Sequence, residues 1–180
     1  MKKVLAVCSF AVLALIVGAL VVRAQQDKSK RPSPPATAKC ELASGKTVTI
    51  DYSSPRKKGR NVFPDVVKYG EIWRTGANEA TTFVTTSDLM MGGKHVPAGS
   101  YTLFTIPGKD KWVLVISKKT GEWGTDYPGE KEDLVRVDMK AGTSATPVEN
   151  FTISFDKAGS GCNLKLAWDT TTAWAEIGTM

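Results

Sequence analysis

Apolar and polar residues alternate with a period of two through most of this chain, and that pattern permits little except half-buried β-strands. Val48, Ile50 and Tyr52 share one face, with Thr47, Thr49 and Asp51 opposite. Phe151, Ile153 and Phe155 oppose Thr152 and Ser154, and Cys162, Leu164, Leu166 and Trp168 oppose Asn163, Lys165 and Ala167. The run 111–117, KWVLVIS, is apolar on both sides, which suits a strand covered on both faces. Further strands are expected at 79–86, 88–91, 94–97, 100–106, 134–139 and 172–177. Turn chemistry separates them: Met91-Gly92-Gly93-Lys94 matches a two-residue hairpin, and Pro97–Gly99, Pro107–Asp110 and Ala158–Gly161 read as longer loops. Helix is expected only as one or two turns at 64–69, opened by Pro64-Asp65. Eight to ten short strands with Gly/Pro turns imply an all-β, single-domain β-sandwich, of which the jelly roll is one form.

Ahead of the strands, Met1-Lys2-Lys3 precedes an almost wholly apolar run from Val4 to Val22, and then Arg23-Ala24-Gln25. Val22 and Ala24 occupy the −3 and −1 positions of a signal-peptidase site, so residues 1–24 are expected to be a cleaved, helical signal peptide. The alternative is an uncleaved membrane anchor at residues 4–22, which is just long enough to span. Either way the rest of the chain is exported, periplasmic or secreted, and touches a membrane only through this segment. Residues 25–39 hold Pro, Ser and Lys but no large apolar side chain, and read as a flexible basic linker before a domain at 40–180.

The formal charge of +6 sits in the signal and linker, while the basic and acidic residues of Cys40–Met180 balance. No nucleic-acid surface is therefore expected, since that needs clustered positive charge on the folded domain. One histidine, His95, excludes a multi-histidine metal cage, and neither a metal nor a cofactor is expected. Cys40 and Cys162 both share parity with apolar neighbours and point inward. In an oxidising compartment they form a disulfide, the other possibility being two separate buried thiols.

Residues 54–83 break the alternation. The segment 56–81 carries Arg56, Arg60, Arg74, Asn78 and Glu79 beside Phe63, Tyr69 and Trp73. Arginine presents a planar fork suited to carboxylates and phosphates, and the aromatics offer stacking surface. Within it, Tyr69-Gly70-Glu71-Ile72-Trp73-Arg74-Thr75-Gly76-Ala77-Asn78-Glu79-Ala80-Thr81 resembles the signature of the bacterial exported domain-of-unknown-function 2911 family. So do Gly92-Gly93-Lys94, Pro97 through Pro107 and Trp123-Gly124, so that the resemblance covers about residues 40–180. It implies a β-rich exported domain and carries no catalytic residues across.

The residues themselves favour a binding or interaction module for a polar or anionic ligand: a small molecule, glycan or peptide. Arg56, Arg60, Trp73, Arg74, Asn78 and Glu79 are its expected contacts, and no catalytic residue is assigned. Two alternatives stand beside it. One is a carboxylate-dependent hydrolase acting on envelope or extracellular glycans. The other is a purely structural envelope protein, in which Arg74 and Glu79 pair internally and Asn78 holds a turn. Trp112, Trp123 and Tyr127 could form a sugar-stacking platform but read better as core or hairpin packing.

Overall fold

The computed structural model describes residues 27–180, so the expected signal peptide at 1–24 lies outside the described residues. Residues up to Arg31 and residues from Pro32 onward are two separate units. In the first, Asp27 caps a 3-10 turn at Lys28–Lys30 by accepting from the Ser29 amide at 3.1 Å.

The second unit is nearly all strand. In chain order the strands are β1 (Pro35–Glu41), β2 (Thr47–Ser53), β3 (Thr81–Thr85), β4 (Leu89–Met91), β5 (Lys94–Val96), β6 (Gly99–Ile106), β7 (Lys111–Ser117), β8 (Asp133–Ala158) and β9 (Gly161–Thr179). All pair antiparallel in one nine-stranded sheet of order β1-β2-β3-β6-β7-β8-β9-β4-β5. This is a meander with one displaced hairpin rather than the strand order of a jelly roll.

A flat sheet of this order is impossible. β3 and β4 lie five places apart in it, about 24 Å at ordinary strand spacing. Only four Cα steps join Thr85 to Leu89, a reach of ~15 Å. Cys40 on β1 and Cys162 on β9 are six places apart, yet they are disulfide-bonded with Cα atoms 6.6 Å apart. The sheet must therefore curl over on itself, and one sheet supplies both layers of a sandwich-like body.

The curl encloses the apolar face of every strand. Ala38 and Cys40 of β1, Val48, Ile50 and Tyr52 of β2, Phe83 of β3, and Leu103 of β6 are buried. Trp112, Leu114 and Ile116 of β7 join them, with Val135, Val137 and Met139 of β8. β1 starts at Pro35, inside the segment expected to be linker, because Ala36 and Ala38 continue the inward phase of Cys40. The β4–β5 hairpin turns at Gly92 and Gly93 with φ of 55° and 75°, the positive values a two-residue turn demands. Phe104, on the other face of β6, is buried under Tyr127. Tyr127 is held in turn by Asp133 and Arg136, whose guanidinium donates to Asp133 at 2.7 Å and to the Tyr127 hydroxyl at 3.0 Å.

Long β8 and β9 form a hairpin that changes course midway. Its ladder runs from Lys140↔Trp174 to Thr143↔Thr171, shifts at Val148↔Asp169, and resumes from Thr152↔Ala167 to Ala158↔Gly161. Beyond the shift, Leu164, Leu166 and Trp168 face the core in even phase; before it Ala173, Ala175 and Ile177 do so in odd phase. Asp169 absorbs the change of phase with a left-handed φ of 53°. The hairpin tip folds back until Gly161 lies against the Ile177 carbonyl, where a side chain would collide.

Candidate functional site

The irregular segment between β2 and β3 is pinned at several points. Its only helix-like turn is a π turn at Val62–Val66, earlier than the 64–69 expected from sequence. The peptide before Pro64 is cis. Trp73 forms a backbone bridge with Thr105 of β6, its amide donating at 2.7 Å and its carbonyl accepting at 2.9 Å. Its indole is thereby set into an aromatic cluster. The ring stacks on Trp168 at 6.0 Å and meets Phe151 edge-on at 4.9 Å, and Phe63 touches Trp73, Trp112, Trp168 and Tyr69. Trp112 is core, as its sequence context suggested. The Trp112 indole N–H is buried without a partner among the described residues, but the other two are used inside the fold: Trp73 donates to the Gly76 carbonyl at 3.2 Å and Trp168 to the Glu149 carbonyl at 3.3 Å. Toward a ligand these two rings can offer apolar surface only.

Arg74 follows directly and is placed differently. It lines a depression of about 390 Å³ together with Arg60, Lys68, Glu71, Trp73 and Trp168. Among the described residues its Nε is buried and has no hydrogen-bond partner. Burial pulls the guanidinium pKa below the usual arginine value. Among the described residues no opposite charge offsets this burial at Arg74. The wall is otherwise positive: Arg60 and Lys68 join Arg74, and the one carboxylate in the lining, Glu71, already faces Lys68 at 3.9 Å.

The remaining expected contacts are divided. Arg60 lines the depression, yet donates to the backbone of its own turn through Nε to the Lys57 carbonyl at 3.0 Å and Nη2 to the Arg56 carbonyl at 2.6 Å. Arg56 donates to Ser54 through its carbonyl at 3.0 Å and its hydroxyl at 2.7 Å, beside a backbone bridge to Asn150. That ties the end of β2 to β8. Asn78, at φ 58°, donates to the Ser33 carbonyl at 3.0 Å, and its own carbonyl accepts from Gly124. Glu79 bridges Trp123 through the backbone. The structure thus gathers Arg60, Trp73 and Arg74 at one surface and gives Arg56 and Asn78 structural bonds. Trp168 and Lys68 belong to the same surface and were not singled out from sequence. Trp168 sat unremarked in a regular alternation, and Lys68 in a run without pattern.

Fold and site together define an all-β body with a half-buried arginine and two indoles lining one depression. The chain belongs to the family described as Protein of unknown function (DUF2911), whose model matches residues 33–177. No curated protein and no solved structure matches it.

Proposed function

We propose that this is an exported binding module whose Arg74 depression takes the anionic group of a small ligand, with Trp73 and Trp168 beneath it. The observation that carries the reading is the unpaired Nε of Arg74, buried beside two further cations. A buried guanidinium Nε without a partner is unfavourable unless something completes its hydrogen bonds, and a carboxylate or phosphate oxygen fits that fork. A hydrolase of the two-carboxylate kind needs a pair of acids flanking the substrate, whereas Glu71 stands alone in this lining. The Cys40–Cys162 disulfide supports a location outside the cytosol, where such bonds persist.

Titration calorimetry with glucuronate, and with glucose as its neutral counterpart, tests the reading. Glucuronate is expected to bind and glucose is not. Arg74→Ala should weaken glucuronate at least tenfold, the loss of one charge-assisted hydrogen bond, while the melting temperature of the free protein changes little. Equal affinities for the parent and Arg74→Ala, or no heat with glucuronate or phosphate, would sink it.

A further inference from the structure

A second surface lies on the β8–β9 hairpin. The folded-back tip brings Asn163 and Lys165, near the start of β9, toward Thr172 and Trp174 further along the same strand. Two depressions result, of about 550 and 470 Å³, and both are lined by Trp174 and Asn163. The larger adds Asp138, Lys140 and Glu176; the smaller adds Asp156, Lys165 and Thr143. The Trp174 ring packs over Gly142 on the neighbouring strand, where a Cβ would meet it at 3.2 Å. The outer edge of the indole thus lies against backbone, and the residue stays only half-buried.

The chemistry of this surface differs from that at Arg74. Its charges nearly cancel, and Lys165 is already bonded to Asp156 at 2.8 Å. Asn163 and the Trp174 indole N–H make no side-chain hydrogen bond to another described residue. A half-exposed indole, a free amide and a rim of carboxylate, hydroxyl and ammonium groups is unsuited to an anion or an apolar chain. It suits a ring with one C–H face and many hydroxyls. Because the two depressions share Trp174, such a ring stacked there has room for neighbours on both sides.

We infer that the cleft between the folded-back tip of the β8–β9 hairpin and the rest of the hairpin binds an uncharged oligosaccharide, with one sugar ring stacked on Trp174 and its hydroxyls held by Asn163 and the flanking charged groups. This site is independent of the Arg74 depression. The strands that carry it are rigid elements on both sides, so the polar groups are already positioned in the free protein.

The full mature protein is titrated with three hexasaccharides: β-1,4-linked glucose, β-1,4-linked N-acetylglucosamine and α-1,4-linked glucose. Calorimetry gives affinity, and tryptophan fluorescence reports stacking. At least one should bind with a fluorescence change that Trp174→Phe reduces. Trp174→Ala should abolish binding, and Asn163→Ala, which removes no buried packing, should weaken it about two- to tenfold. Arg74→Ala should leave it unchanged. The inference fails if none of the three binds, or if Trp174→Phe and Asn163→Ala both bind as the parent does. Loss of glucuronate binding with hexasaccharide binding intact would count against the Arg74 reading alone.

Discussion

Lys57 and Asp169, 112 residues apart, form an ion pair at the point where β9 changes phase. The Asp169 side chain is 11% exposed and that of Lys57 23%. The pair ties the start of the irregular segment to the bend where the hairpin changes course.

Removing one partner leaves the other charge stranded. Lys57→Met should destabilise by about 2 kcal/mol, below the full figure for a buried pair because Lys57 keeps some contact with water. Adding Asp169→Asn should recover part of the loss, since Asn also accepts the left-handed backbone found there. Urea unfolding of the two variants and the parent measures this, and a double variant no better than Lys57→Met would refute the pairing argument.

Tyr52 offers a second check. Its hydroxyl accepts from the buried Ile153 amide at 3.0 Å, linking β2 to the far arm of β8. Tyr52→Phe should cost about 1–3 kcal/mol by orphaning that amide. Burial pushes the phenol pKa up. The folded state therefore favours the neutral phenol; its contribution is complete below the ordinary tyrosine range near pH 10 and disappears as pH rises beyond it. Above about pH 10 the stability of Tyr52→Phe should fall less steeply with pH than that of the parent, as read from urea unfolding across that range.

The disulfide closes a loop of 122 residues. In the chain-entropy description this contributes about 5 kcal/mol, through the unfolded state. Cys40→Ser with Cys162→Ser should therefore lower the denaturant midpoint markedly. Unreduced peptide mapping should show the two cysteines linked, and two freely alkylated thiols would contradict the bond.

Asp88 sets an acid limit. Its carboxylate accepts from the Ala98 amide at 2.9 Å and faces His95 Nε2 at 2.9 Å. These, with the Ala98 bond first, hold the carboxyl below the usual aspartate range. The folded state thus takes up a proton less readily than the unfolded chain. Its stabilisation is full above about pH 5 and fades as pH falls through the carboxylate range. Asp88→Asn should flatten the fall in stability between about pH 5 and 3, as read from unfolding curves across that window.

The strands were legible because each buries one face. Val48, Ile50 and Tyr52, or Leu164 and Leu166, announce their phase without knowledge of any partner. The Cys40–Cys162 bond was legible for the same reason. The course of the hairpin was not. Residues 144–150 carry no period, and the change of phase at Asp169 depends on a backbone angle and a lysine far away in the chain. The site was half legible. Arg74 and Trp73 stood out by residue type, but the unpaired state of Arg74 is a property of packing. The polar bonds that absorb Arg56 and Asn78 run to backbone carbonyls, which no side-chain pattern reveals.

The curled sheet still ends in two borders, and their residues bear on self-association. One border, β1, opens with Pro35 and presents Lys39 and Glu41 to solvent. The other, β5, is three residues long with Lys94 and His95 exposed. Proline, charge and brevity are the usual guards against a second chain adding its own strand. Those guards oppose the templating of fibres by so extensive a sheet, and substitutions that make either margin longer or more apolar would remove that protection.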